Sequence, residues 1–474
     1  MDGAGLHVPV AAVSVWPTVG VPEIVGVAVV IVPVQSGCAL GLALLVNSVT
    51  RGQAFFRSVF FIPTACSYVA ASLVWKMNIF NGLPFGVANQ ILNLGALLFI
   101  LPYFLFSAIS GELSTKYDKA KLARVIKALE VLIMLGAAYG FYIQSAPLLF
   151  VCLFLMGAQS TLFGPLKYAI LPDYLNRKEL IMGNSLIESG TFLAILFGQI
   201  LGTMMAGSSP YVVGSSILLI AVIGLVSSIL MPKVPPKNPN TRIDPNIARS
   251  TKNLLKETFV QRELYTAIIG ISWFWLIGAI YTTQLPTFTQ LHLGGNDNVF
   301  NLMLALFSIG IATGSVLCAK LSHENLRLGL VIIGTLGLTL FGTLLVWLTY
   351  ANQFTQLSGI TTFLSHGYAW PVMACMTLIG FFGGFFSVPL YTWLQIASSE
   401  EFRAHAIAAN NIVNGLYMVA AAAASALILA LTDSLALLFL LTALANVPAL
   451  GRLCWRAPQV WQARWSWLAG LCGK

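Results

Sequence analysis

Few residues in this chain have the type and spacing for bond-making chemistry. The one arrangement that does is His292-Leu-Gly-Gly-Asn-Asp297, a His-x4-Asp spacing at which an imidazole, oriented by a carboxylate, could take a proton from an acceptor hydroxyl in acyl transfer. It falls on a short Gly-Gly turn after Pro286, with no soluble segment around it to hold an acyl thioester, so catalysis is not expected there. There is no Gly-x-x-x-x-Gly-Lys-Ser/Thr phosphate loop, no Gly-x-Ser-x-Gly elbow and no His-Glu-x-x-His. The seven Cys are scattered without a Cys-x-x-Cys pair and read as small apolar residues, neither disulfides nor metal ligands. The reading is of a protein that is not an enzyme and needs no cofactor.

The better candidates are polar side chains stranded inside apolar runs, since polar groups at membrane depth face a cavity or a neighbouring helix. These are Gln159, Glu188, Gln199, Gln284, Asn410, Asn411 and Asn414, with Lys167 near the end of its run. For the Gln and Asn, interhelical hydrogen bonding competes evenly with contact to a transported molecule. Glu188 has two roles open to it. It could support the start of its helix through the dipole, or pair with Lys167 as a gate. Trp273-Phe-Trp275 with Tyr281 could line a cavity for an amphiphile, although aromatics near helix ends more often anchor at the interface.

The elements that must hold these residues are membrane helices. Of 474 residues 58% are hydrophobic and only 9% charged, against about 25% charged in soluble domains. Runs able to cross ~30 Å of hydrocarbon lie at roughly 24–46, 57–76, 87–110, 124–143, 147–168, 184–206 and 211–231, then at 264–290, 298–320, 326–349, 368–392, 404–430 and 432–453. The prediction is an all-α polytopic membrane protein with about 12–13 transmembrane helices. The first twenty residues hold no Lys or Arg and no cleavage-site pattern, which argues against a secretory signal peptide.

Charge sets the orientation. The net charge of +9 comes from Lys and Arg between the runs, so it signals topology and anionic lipid rather than nucleic acid. With the turn near Gly111 in the cytoplasm, Lys116 to Lys127, Lys167 to Lys178, Lys233 to Arg262, Arg403 and Arg452 to Lys474 are all inside, and of 25 Lys and Arg only Lys76 is outside. The expected divisions are an N-terminal segment 1–83, a first bundle 84–231, a basic Pro-rich cytoplasmic linker 232–263, a second bundle 264–453 and a cytoplasmic tail 454–474.

The stretch Gly111-Glu-Leu-Ser-Thr-Lys-Tyr-Asp-Lys-Ala-Lys-Leu-Ala-Arg124 resembles the signature loop of the major facilitator superfamily. Gly111, Lys116, Lys119 and Lys121 match it, Asp118 stands where a Gly is usual, and Thr115 holds the place of an acid that helps latch the two helix bundles. Gly314 to Lys320 is a weaker echo in the second half. Phe163-Gly164-Pro165-Leu-Lys167-Tyr168, Gly183-Asn184 through Glu188 to Phe192, Gly380 to Tyr391, and Arg403 to Asn414 are similar to the lysophospholipid transporter family of that superfamily, over about residues 84–450.

The resemblance implies a two-bundle secondary transporter that works by alternating access and flips lysophospholipids across the bacterial inner membrane. Gly111, Lys116, Asp118, Lys119, Lys121 and Arg403 would form its gating loop, and Gln159, Lys167, Glu188, Gln284, Asn410, Asn411 and Asn414 its substrate path or gate. Some family members are fused to acyltransferase and acyl-carrier-protein synthetase domains, so such an enzyme is an implied partner and a fusion the alternative reading. A facilitator of another amphiphile or drug is a further alternative. Residues 37–82 resemble instead a fragment of an ABC sugar-importer permease, and the Phe-Asn-Asp-Asn type motif of the family's first helix is absent. The run 57–76 is expected in that helix's slot.

Overall fold

A computed structural model describes residues 87–465, except 206, 207, 323, 324, 353 and 355, with side chains from residue 98 on apart from Thr203. The expected runs 24–46 and 57–76, the permease-like stretch, Lys76 and the tail beyond residue 465 lie outside the described residues. The described chain is helical, and ten of its helical stretches are long and apolar enough to cross a membrane.

The first bundle comprises α1 (Val87–Lys116), α2 (Lys119–Tyr142), α3 (Ala146–Ala169), the single turn α4 (Leu171–Tyr174), α5 (Leu180–Met204) and α6 (Pro210–Ile229). A connecting segment contains α7 (Ile247–Val260). The second bundle comprises α8 (Arg262–Leu293), α9 (Asp297–Ser322), α10 (Gly329–Thr349), the short α11 (Ile360–Ser365), α12 (Ala369–Ala397), α13 (Arg403–Thr432), α14 (Leu435–Leu444), α15 (Asn446–Arg456) and α16 (Pro458–Gln462). Successive long helices run up and down, so every second turn lies at the end carrying the 232–263 segment, called here the linker end.

Several boundaries differ from the sequence reading for identifiable reasons. Residues 111–116 are not a loop but the last turns of α1, and only Tyr117 and Asp118 break the chain before α2. Asp118 makes so short a turn possible, because its side chain accepts hydrogen bonds from the Ala120 and Lys121 amides and so caps α2. Gly314 likewise lies inside α9 rather than in a turn. The run 432–453 is one 22-residue membrane stretch, Leu435–Arg456, divided at Ala445. Pro448 is four residues after Leu444 and has no N–H to offer its carbonyl, which accounts for the break. The linker is partly ordered as α7, an amphipathic helix whose Ser250, Leu254 and Thr258 are buried. Lys127 is not at the surface with Lys121 of its cluster. It is fully buried, eight residues and so about 12 Å into α2.

Glycine sets the helix spacing in the second bundle. Added methyl groups on Gly310 and Gly314 of α9 would collide with the Thr377 and Phe381 backbone of α12, and on Gly380 of α12 with the Phe307 backbone of α9. Such close approach is how membrane helices gain dispersion contact without a hydrophobic drive.

Candidate functional site

The two bundles meet through the linker-end halves of α1, α3 and α5 on one side and of α9, α12 and α13 on the other. Gly111 of α1 faces Ala408 of α13, where an added methyl would come within 3.0 Å of the Ala408 Cβ. One turn on, Thr115 Oγ1 lies 3.3 Å from His405 Nδ1. The position that the superfamily pattern gives to an acid thus makes a neutral hydrogen bond across the same interface.

Deeper in, Asn184 of α5 donates to Thr392 Oγ1 at 3.0 Å and Gln395 Oε1 at 2.6 Å on α12. Gln395 Nε2 returns the contact, donating to the Tyr168 carbonyl at 3.0 Å and to Asn184 Oδ1 at 3.1 Å. The Tyr168 and Tyr391 rings stack across the seam with centroids 4.4 Å apart. Ser189 Oγ donates to the Ala312 carbonyl of α9. Beyond it, Phe192 packs on Phe274, Trp275 and Phe307 of the second bundle. The seam is therefore polar near the linker end and aromatic further in.

An ionic layer covers the linker end. Lys119 Nζ is 2.6 Å from Asp173 Oδ2, both side chains being buried. Lys237, from the linker, lies 3.1 Å from Asp173 and 3.0 Å from Glu400, and so touches both bundles at once. Its hydrogen bond holds the Glu400 carboxyl below the usual range. Glu112 straps the linker onto α1, accepting from the Asp244 amide and the Ser250 hydroxyl. Arg249 forks onto Asp244 and, by hydrogen bonding, drives that carboxyl down to about 2.

The sequence candidates distribute unevenly over this arrangement. Lys119 enters the ionic layer, Asp118 caps α2 and also accepts from the Val234 amide, and Arg403 donates to the Gln395 carbonyl within its own bundle. Lys121 is exposed, and Lys116 lies over the Tyr117 ring at the end of α1. Lys167 and Glu188 are buried near each other and interact electrostatically, with Lys167 over the Tyr168 ring and the Tyr168 hydroxyl donating to Glu188 at 3.2 Å. Asn411 packs against Gly164 across the seam, Asn414 accepts from Ser272 within the second bundle, and Asn410 is buried with Oδ1 making no hydrogen bond among the described residues.

Gln159 sits away from the seam. It donates to Glu130, which pairs with Lys127, inside the first bundle. Gln284 is half-buried toward the opposite end of α8. The aromatics of α8 separate too: Trp275 donates to the Tyr391 hydroxyl at the seam, Trp273 to Asn446 of α15, and Tyr281 packs on Phe439. His292 Nδ1 donates to the Thr349 and Asn352 carbonyls, a contact that ties α8 to the end of α10.

Sequence reasoning singled out neither Asn184, Gln395 and Thr392 nor the Lys127–Glu130 pair nor Lys237. The i,i+3 Lys and Glu within an apolar run was the available signal for the pair. The other contacts join residues up to 227 apart in sequence. No local pattern marks them.

The profile of the Major Facilitator Superfamily matches residues 58–422, and so takes in the run 57–76 as well. The chain is similar to the lysophospholipid transporter LplT of Escherichia coli O157:H7, 27% identical over 322 residues, covering 67% of this chain and 74% of that protein. It is equally similar to LplT of Cronobacter sakazakii, 27% identical over 323 residues with the same coverage. Its fold matches the crystal structure of the human organic anion transporter MFSD10 with a TM-score of 0.67 at 15% identity, over 83% of this chain and 97% of that one. A bacterial homologue of the iron transporter ferroportin matches with a TM-score of 0.61 at 14% identity, over 85% and 99% of the two chains.

Proposed function

This chain belongs to the major facilitator superfamily, and from that premise we propose that it flips lysophospholipids across the bacterial inner membrane by alternating access. The observation that carries the reading is the seam. The hydrogen bonds that Thr115, Asn184 and Ser189 make across it lie in the linker-end halves of their helices and join neutral groups, so these contacts can part there without separating opposite charges. The relatives named as lysophospholipid transporters supply the substrate.

The linker end is read as cytoplasmic. Among the described residues the turns at the opposite end, 143–145, 294–296, 350–368 and 433–434, carry no Lys or Arg, whereas the linker end carries Lys119, Lys121, Lys237, Arg249, Arg403 and Arg456 among others. The C-terminal tail then lies inside. On that reading the conformation is the one closed to the cytoplasm. Gly111, Lys116, Asp118, Lys119, Lys121 and Arg403 act as the gating layer and Lys167 and Glu188 as a charged pair behind it, with Asn410, Asn411 and Asn414 along the path. The Phe192, Phe274, Trp275 and Phe307 cluster suits an acyl chain, and the delivered lysolipid would pass to a partner acyltransferase.

Uptake of labelled lysophosphatidylethanolamine into proteoliposomes holding the purified chain tests the substrate, and uptake no greater than into empty vesicles removes it. Cysteine labelling tests orientation: exposed Asn240→Cys should react only from the cytoplasm and Asn298→Cys only from outside.

A further inference from the structure

A cavity of about 350 Å³ lies between the linker-end halves of α8, α13 and α15, with Phe386 of α12 contributing to its lining. It is separate from the seam. Trp273 lines it and Trp275 faces the first bundle, and two residues along a helix turn the side chain by about 200°, so the cavity lies on the face of α8 away from the inter-bundle contacts.

Its depth and lining match one leaflet. Arg456 ends α15 at the linker end, while Trp273 is eleven residues into α8, or roughly 16 Å, close to half of the ~30 Å hydrocarbon core. The walls are apolar, with Ile269, Leu450 and Leu453 among them. The indole N–H of Trp273 is already spent on Asn446 at 3.0 Å. The mouth is basic. Arg452 is exposed, and Arg456 stacks over the Tyr265 ring at 5.8 Å with its Nε buried and making no hydrogen bond among the described residues. A third guanidinium, that of Arg262, is held there by the Arg456 carbonyl. The acid of the first turn of α8, Glu263, is turned to Gln459 at 3.5 Å.

We propose that this slot is a binding site for an anionic phospholipid of the adjacent leaflet, one acyl chain lying along Ile269, Trp273 and Leu453 and the phosphate held by Arg452 and Arg456. Charge selects the occupant. Arginine forks match phosphate oxygens, and a zwitterionic head group would bring its own ammonium against the same guanidiniums. The proposal does not depend on lysophospholipid being the transported molecule.

Native mass spectrometry of the delipidated full chain, titrated with phosphatidylglycerol or phosphatidylcholine of the same acyl composition, tests it. Phosphatidylglycerol should be retained in preference, and Arg452→Gln with Arg456→Gln should weaken that retention by about tenfold or more. Ala449→Trp, which fills the slot from its half-buried wall, should abolish retention while both arginines stay. Arg452→Gln alone, at an exposed position, keeps the test open if the double variant does not fold. Equal retention of the two lipids, or variants that bind like the parent, would overturn the site. One-for-one displacement of phosphatidylglycerol by lysophosphatidylethanolamine would also overturn it, and make the slot a branch of the transport path.

Discussion

The first bundle buries ion pairs, whereas the second concentrates its closest backbone contacts on glycines of three neighbouring helices. Inside the first, Lys127 and Glu130 pair with both side chains fully buried and Gln159 adds a hydrogen bond to the carboxylate, and Lys119 and Asp173 form a second nearly buried pair. Inside the second, α9, α10 and α12 touch backbone to backbone through Gly310, Gly314, Gly334, Gly380 and Gly384. Both are ways of holding helices together where lipid removes the hydrophobic drive. They fail differently. A buried ion pair fixes one arrangement and is costly to break on one side, whereas glycine contacts resist only bulk and leave the helices free to slide. The comparison predicts a stiffer first bundle and a second one whose helices α9 and α12 shift as the seam opens.

The largest effect should come from breaking the ion pair on one side. Lys127→Met leaves the Glu130 carboxylate in the bundle without its cation and should cost about 3–5 kcal/mol. Removing both charges, Lys127→Met with Glu130→Leu, should recover most of that loss. Thermal unfolding in detergent, followed by size exclusion, reads both. A single variant as stable as the parent would end the claim that the first bundle is organised by this pair.

Next in size is Gly314→Val, whose side chain has only the Phe381 backbone to push against and should cost about 1–3 kcal/mol or more. Gly190→Ala in α5, where nothing lies within 4 Å of the added methyl, serves as the control and should be neutral or slightly stabilising. If Gly314→Val is also neutral, the close α9–α12 approach is not what holds the second bundle.

Where helices run was legible because it depends on apolar length: the runs at 147–168 and 298–320 are α3 (Ala146–Ala169) and α9 (Asp297–Ser322). Which end of the seam closes was not legible, because Asn184 and Gln395 are ordinary polar residues until two helices from different halves bring them together. Charge clustering also misled at one point. Lys127 stands one turn beyond Arg124 in a basic run, and only its pairing with Glu130 in the folded bundle explains why it is buried. The gating residues Gly111, Lys116, Asp118, Lys119, Lys121 and Arg403 were legible from a motif, whereas Lys237, which adds a cross-bundle ionic contact beside them, lies in a linker marked by composition alone.

The Lys167 and Glu188 charges should matter less to stability than to transport. If they act as a gate, Glu188→Gln and Lys167→Gln should each slow lysophospholipid uptake at matched membrane levels. The double variant should then lose less than the two effects added, the coupling being of the order of 0.5–3 kcal/mol. Uptake at the parent rate in Glu188→Gln would reduce the carboxylate to a support for the start of α5, where it costs a few tenths of a kcal/mol to about 1.

The smallest effect is expected at Lys237, the contact that joins the two bundles from outside either one. Glu400 is 71% exposed, so an ion pair there contributes roughly 0.2–1 kcal/mol. That is enough to bias a balance between two conformations, by up to about fivefold. Lys237→Gln should therefore leave folding intact and raise the fraction open at the linker end. Spin labels at the exposed positions Gln144 and Asn298, at the opposite end, would report that shift as a shorter distance. The pH dependence has a definite sign. Because Lys237 holds the Glu400 carboxyl below its usual range, the contact is complete above about pH 4.3 and is lost as the pH falls through the lowered value. Acidification below that point should move the parent toward the Lys237→Gln distribution, and high salt at neutral pH should do the same by screening. A parent distribution indifferent to salt, acid and Lys237→Gln alike would mean that the bundles are held closed by the contacts of the seam, Asn184–Gln395 among them, with the linker serving only as a tether.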